Sequence, residues 1–308
     1  MDDKPGRIVI TGVAGRIGPT VRAGLRGEAG HLVLLDRVPV EAQDATETAV
    51  EADIADLRAL AAAFEGADAV VHLAGIADEA PFGDLLDANV RGTYNVLEAA
   101  RRAGVRRVVL ASSNHVTGAY PIHHHVFADE PPRPDGLYGV SKVAVEALGQ
   151  MYADTFGLEV VALRIGSFEE EPGETRHLAT WLSPRDCAGF VRAALAAPGV
   201  TFTAVYAVSG NARRFWDLTA AANELGYRPV DDAAAFASRF PDDDPFWHGG
   251  PQGGPDSGAE KVLRFAGAGD GPDGGPAEDE PAGEAAGEQA ATAPQGDRPG
   301  EDSGAGAD

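Results

Sequence analysis

The stretch that most limits what this chain can fold into is a glycine-punctuated junction between a strand and a helix near its start. Arg7-Ile-Val-Ile-Thr11 is a short apolar run of the kind buried in a parallel sheet. Gly12-Val-Ala-Gly15-Arg16-Ile17-Gly18 follows at once, and the residues to Arg26 read as a helix. Glycines at this spacing allow a tight turn, close approach of backbone to a pyrophosphate, and close packing of helix on strand. A second strand, His31-Leu-Val-Leu-Leu35, ends on Asp36, where an acidic side chain would hold a ribose 2′-hydroxyl. Asp36 would repel a 2′-phosphate, so NAD is expected over NADP, with Arg37 beside it arguing the other way.

Strands and helices then keep alternating. Asp53-Ile54 leads into a helix near Asp56 to Phe64, and Ala69-Val-Val-His-Leu73 is a buried strand ending in Ala74-Gly75. Helical periodicity runs from Phe82 to Arg102, followed by strands at Val108–Ala111 and Glu159–Arg164. This order predicts an α/β fold, a doubly wound parallel sheet of Rossmann type, with ligands at the carboxyl ends of its strands. Ser113, Asn114 and His115 fall at such an end, after the fourth strand counted this way.

Between the last two of those strands lies Tyr138-Gly-Val-Ser-Lys142. Positions four apart share a helix face, so the phenol and the ammonium address one small volume. The lysine charge is expected to lower the tyrosine pKa from about 10, as a general base requires.

Composition bounds the partners. The formal net charge is −23, and Lys4, Lys142 and Lys261 are the only lysines, so nucleic acid is not an expected partner. The stretch 268–308 carries a net −10, which leaves −13 on residues 1–267. An acidic, lysine-poor body of this kind suits a cytoplasm of high salt, where screening relieves self-repulsion. Cys187 is the only cysteine, which excludes an intramolecular disulfide and fits a reducing compartment. Its neighbours from Trp181 to Leu195 read as a helix. No apolar run approaches the ~20 residues of a spanning helix, so a cytoplasmic protein without membrane contact is expected.

Beyond Gly166 the sequence reads as a loop to Thr180, a helix from Pro184 to about Ala196, a strand Ala204–Val208, and a helix with Asp217 as its N-cap. Phe246 to Ser257 is Gly- and Pro-rich and reads as irregular. Val262, Leu263 and Phe265 form an apolar island expected to dock on the body. Residues 1–267 are thus expected as one domain, its substrate-binding elements mainly within 166–267. From Ala268 on no large apolar residue occurs, and a disordered acidic tail is expected.

Gly12, Gly15, Gly18, Asp36, Asp53, Ala74-Gly75, Ser113 and Tyr138-x-x-x-Lys142, in this order and spacing, resemble the extended short-chain dehydrogenase/reductase superfamily over residues 5–235. The resemblance implies Tyr138 as base, Lys142 lowering its pKa and holding the nicotinamide ribose, and Ser113 bonded to the reacting hydroxyl. It implies cofactor contacts from Arg16, Ile17, Ile54, Leu73, Asn89 and Ile165 as well. Ser112-Ser113-Asn114-His115, Arg164-Ile-Gly-Ser167 and Arg176-x-Leu-x-Thr-Trp181-x-Ser183 are similar to uronate dehydrogenases, and Val262–Phe265 extends the similarity. Those enzymes oxidise the C1 hydroxyl of glucuronate or galacturonate to an aldarolactone with NAD. By that similarity Ser113, Asn114, His115 and Ser167 contact the sugar, and Arg176 its carboxylate. Ala77 departs from the pattern, which tends to carry a serine there.

Other readings stay open at this point. Trp181-Leu-Ser-Pro-Arg185-Asp-Cys187 resembles NAD-dependent glucose-6-phosphate dehydrogenases of the same superfamily. A nucleotide-sugar epimerase or dehydratase needs a larger substrate domain, and a non-catalytic dinucleotide sensor needs no base. His123-His124-His125 suggests the substrate mouth rather than a metal, because consecutive residues rarely converge on one ion. A homo-oligomer is the expected assembly.

Overall fold

A computed structural model describes residues 6–254 and 259–265. Five parallel strands continue the alternation seen in the sequence: β1 (Arg7–Thr11), β2 (His31–Asp36), β3 (Glu47–Glu51), β4 (Ala69–His72) and β5 (Arg107–Ser113). After two short strands, β7 (Ser167–Phe168) and β8 (Trp181–Leu182), which follow β6 (Glu159–Ile165), the main sheet is completed by β9 (Phe202–Ala207). The seven-stranded order is β3-β2-β1-β4-β5-β6-β9, all parallel. The chain therefore winds outward one way from β1 and then the other way from β4, and the crevice for a ligand opens above the β1/β4 boundary.

Both faces of this sheet are buried, and side-chain alternation divides its residues between them. Ile8 and Ile10 of β1 face one core, with Val21 and Leu25 of α1 (Gly18–Leu25) and Phe190 and Val191 of α7 (Pro184–Ala196). Val9 faces the other, with Leu60 of α2 (Leu57–Ala63), Val96 of α4 (Gly92–Ala103) and Val145 of α5 (Leu137–Phe156). Asp56 caps α2 by accepting from the Arg58 and Ala59 N–H groups.

Several elements differ from the sequence reading. Strand β3, Glu-Thr-Ala-Val-Glu, carries little apolar signal because it is the sheet edge, and it makes the strand before Ser113 the fifth rather than the fourth. The helical run from Phe82 is α3 (Phe82–Leu85), one π-helical turn over Leu86–Arg91, and α4. The segment expected as a loop to Thr180 holds β7 and α6 (His177–Thr180), and β7 pairs with β8. Trp181 and Leu182 are accordingly strand, and the helix carrying the buried Cys187 starts only at Pro184. Helix α8 (Thr219–Glu224) begins two residues after Asp217, whose carboxylate still accepts from the Thr219 N–H at 2.7 Å. In α9 (Ala259–Phe265), Leu263 is 66% exposed, so the expected docking of the apolar island is not made through that side chain. No helix among the described residues is long and apolar enough to cross a membrane. The acidic stretch from Ala268 lies outside the described residues.

Candidate active site

The crevice has two adjoining lobes. The larger, of volume ≈ 630 Å³, is lined by Gly12, Gly15, Asp36, Arg37, Asp53, Ile54, Leu73, Ala74 and Gly75. Gly12 sits at φ +74°, and a Cβ there would lie 2.5 Å from the Ala74 backbone nitrogen. At Gly18 a Cβ would fall 2.1 Å from the Val13 carbonyl oxygen, so the helix packs against the turn only because that position has no side chain. Asp36 accepts from the Ala14 N–H at 2.9 Å and the Val38 N–H at 3.2 Å. A carboxylate has about four lone-pair sites, so Asp36 can shape the loop and still accept from ribose hydroxyls. The lobe thus fits a dinucleotide: a bare-backbone cradle at a helix start, and an acidic residue at the end of β2.

The second lobe, of volume ≈ 390 Å³, is bordered by Arg16, Ile17, Ser113, Asn114, His115, Tyr138, Lys142, Ile165, Ser167 and Arg176, among others. Two residues expected at the cofactor lie outside both linings. Gly18 is packed under the turn. Asn89, in the π-helical turn, is buried, and its amide is committed: Oδ1 accepts from the Ile76 N–H at 2.8 Å, while Nδ2 donates to the Ile76 carbonyl at 3.0 Å and to Ser141 Oγ at 2.9 Å. It ties the turn after β4 to the helix of Tyr138.

Tyr138 and Lys142 occupy one face of α5, and both are buried. The Lys142 ammonium donates to the Ala111 carbonyl at 2.9 Å and lies 5.6 Å from the Tyr138 ring centroid. Burial pushes the Tyr138 phenol up to about 12; the Ser113 hydroxyl bonded to it pulls the other way, and Asp78 and Asp135 add to the rise. Burial likewise pulls Lys142 down to about 8. The expected lowering of the tyrosine pKa is therefore not found in the protein alone. An apolar enclosure opposes both charges, and the ammonium is turned toward a carbonyl rather than the phenol.

Three supporting residues escaped the sequence reading. Glu79, in the loop after β4, accepts from the Leu137 N–H at 2.7 Å and the Tyr138 N–H at 3.2 Å, capping α5 where Gly136 has no side chain to do so. Asp135 meets His115 Nδ1 through both oxygens, at 2.8 and 3.0 Å, holding an imidazole whose ring lies 5.8 Å from that of Tyr138. Glu146, one turn beyond Lys142, accepts from Ser112 Oγ at 2.6 Å and, with both oxygens, from Arg164 at 2.9 Å. This buried fork fixes α5 against β5 and β6.

Arg176 precedes α6 and is half-buried. Nε donates to the Gln252 carbonyl at 3.0 Å, Nη1 donates to Ser167 Oγ at 3.2 Å, and Nη2 is shut from solvent with no hydrogen-bond partner. The histidine run, by contrast, borders a separate depression with Arg213, Arg214 and Trp247, not the crevice. His124 pairs with Glu130 and His125 with Asp217, contrary to the expected place at the substrate mouth.

The family model described as "NAD dependent epimerase/dehydratase family" matches residues 8–208. A uronate dehydrogenase of Pseudomonas putida is 40% identical over 231 residues, 75% of this chain and 86% of that protein. A NAD-dependent glucose-6-phosphate dehydrogenase of Haloferax volcanii is 38% identical over 76% of this chain and 96% of its own. The crystal structure of a uronate dehydrogenase from Agrobacterium tumefaciens superposes with TM-score 0.76 at 40% identity, covering 81% of this chain and 95% of that one. By fold, by crevice and by sequence, this chain belongs to the NAD-dependent epimerase/dehydratase family.

Proposed function

We propose that this protein oxidises the C1 hydroxyl of a hexuronate, glucuronate or galacturonate, to the aldarolactone with NAD. Family membership and its relatives make it an NAD-dependent dehydrogenase acting on a CH–OH group. The observation that carries the substrate class is the Arg176 guanidinium, desolvated at the crevice wall with an unpartnered nitrogen beside Ser167. A buried donor without an acceptor is costly, and a carboxylate is the acceptor an arginine fork matches best. Relatives named as uronate dehydrogenases support the reading.

Bound NAD would supply the acceptor for the C1 hydride. Tyr138 Oη takes the hydroxyl proton as the C1–H pair departs and the C1=O bond forms, and the ring oxygen stays in place, so the product is a lactone. Ser113 orients the hydroxyl, and its bond to Tyr138 favours the phenolate, the form that must be present before the proton is taken and that the transfer turns back into the neutral phenol. Lys142 supplies positive charge within the same enclosure, Ile165 would pack at the nicotinamide end, and Asn114 and His115 would meet sugar hydroxyls. Asp36 would hold the adenosine ribose. No metal enters this scheme, because Tyr138 and the oxidised cofactor take up the proton and hydride.

A sugar phosphate is the second reading, motivated by the run Trp181–Cys187 and by the Haloferax volcanii relative. Packing accounts for that run without a ligand. Arg185 pairs with Asp231 at the surface, and fully buried Asp186 accepts from Ser209 Oγ at 2.7 Å, the Tyr227 hydroxyl at 2.9 Å and the Val230 N–H at 2.8 Å. NADH formation on a panel of uronates, glucose 6-phosphate and neutral aldoses tests the reading. The uronates should give the highest kcat/KM, and a higher value for glucose 6-phosphate would replace the substrate class.

A further inference from the structure

The segment Gly249-Gly250-Pro251-Gln252-Gly253-Gly254 carries a single polar side chain, and that side chain is fully buried. Gln252 Nε2 donates to the carbonyls of Pro121 at 3.1 Å and His124 at 2.7 Å. The backbone around it is zipped onto residues 118–122: Gln252 N–H to the Tyr120 carbonyl, Gly253 N–H to that of Gly118, both at 2.9 Å, and Ile122 N–H to that of Gly250 at 3.0 Å. Pro121 and Pro251 face one another in this antiparallel pairing. The segment is thus a strap, and Gly253 and Gly254 form part of the substrate lobe wall. The histidine run finds its place here: the imidazoles of His124 and His125 pair with Glu130 and Asp217, while the His124 carbonyl holds the strap.

Besides lining the lobe with Gly253 and Gly254, the strap holds Arg176 through the Gln252 carbonyl oxygen, which accepts from Nε. A guanidinium is planar with five fixed donors, so holding Nε on a carbonyl sets which edge faces the cavity. Here it leaves Nη2 free and Nη1 on Ser167 Oγ. We propose that Gln252 is a positioning residue for substrate charge: its buried amide anchors the strap, whose carbonyl fixes the plane of the Arg176 guanidinium at the wall of the lobe that receives the acid group of the substrate. This rests on the reading of Arg176 given above. Gln252 touches no reacting atom; loss of its amide bonds would leave the strap held to residues 118–122 by backbone bonds alone, loosening it and letting the guanidinium plane turn.

The test is steady-state kinetics of Gln252→Ala and Gln252→Met on glucuronate and on a neutral aldose, with NAD affinity from a fluorescence titration. Methionine keeps the volume and removes the hydrogen bonds, so that variant speaks even if truncation unfolds the chain. In both, KM for glucuronate should rise by about tenfold or more with kcat changed by less than about threefold and NAD affinity unchanged. The loss of kcat/KM on the aldose should be at least about tenfold smaller than that on glucuronate. Equal losses on the two substrates, or an unchanged KM, would overturn the positioning role. Arg176→Leu measured alongside separates the two levels. If it is selective against glucuronate and the Gln252 variants are not, only the strap proposal falls; if it is not selective, both fall.

Discussion

Arg176→Leu is the substitution whose outcome the structure constrains most sharply. The side chain is half-buried, but Nη2 is closed to solvent and without a partner, and burial pulls the guanidinium pKa below its ordinary value. Removing one member of a desolvated charge pair costs on the order of 2–5 kcal/mol, whereas an exposed pair contributes ~1 kcal/mol or less and fades in salt. The enclosed Nη2 places Arg176 in the first class. Leucine retains much of the apolar stem while deleting the donors, so packing losses stay small. Hence kcat/KM for glucuronate or galacturonate should fall by more than about thirtyfold, equivalent to ~2 kcal/mol. The assay is NADH appearance on a uronate and on its neutral aldose, wild type and variant side by side. A smaller loss on the aldose is the expected result. Equal loss on both would mean that Arg176 holds Ser167 and the strap in place without reading charge.

Tyr138→Phe should retain NAD binding and lose about 10²–10⁴-fold in turnover, and near-normal turnover would remove Tyr138 as the base. Asp36 at the ribose end should make kcat/KM higher with NAD than with NADP; the reverse would show that Arg37, in the same lobe, dominates. His72, enclosed between Thr11 at 2.7 Å and Thr93 at 3.1 Å, is pulled down to about 3 by burial, with Lys142 adding to it. Its folded-state pKa is depressed, so the stability it supports is complete above pH 6.5 and is lost as pH falls toward 3, about 2 kcal/mol by pH 5. Urea unfolding at pH 7 and pH 5 should show that loss in the wild type and a smaller one in His72→Asn; identical pH slopes would contradict it. With a net charge of −23, the thermal midpoint should rise from dilute to molar KCl, and an unchanged midpoint would leave the acidic surface unexplained.

The elements legible in the sequence were those whose own residues carry the signal. Strand β1, the glycine turn and β2 could be read because a buried parallel strand is continuously apolar and a bare-backbone turn admits little else. Tyr138 and Lys142 could be paired because helix spacing alone puts them on one face. Strand β3 was hidden by its edge position, and β7 and β8 are two residues each, too short for any period. Supporting contacts were invisible for a different reason. Glu79 caps a helix 58 residues away, and the Gln252 carbonyl meets Arg176 across 76 residues, distances over which neither side chain leaves a local pattern. The sign of the Tyr138 shift was missed because spacing reports neighbours and not burial, and burial is its largest cause.

Transfer of the C1 hydrogen is what the account stands on, and isotope labelling reads it directly. Glucuronate carrying deuterium at C1 should, on incubation with the protein and NAD, yield reduced cofactor bearing that deuterium at the nicotinamide, together with the aldarolactone, both visible by mass spectrometry and NMR. Reduced cofactor without the label, or a product still holding deuterium at C1, would contradict oxidation at that carbon.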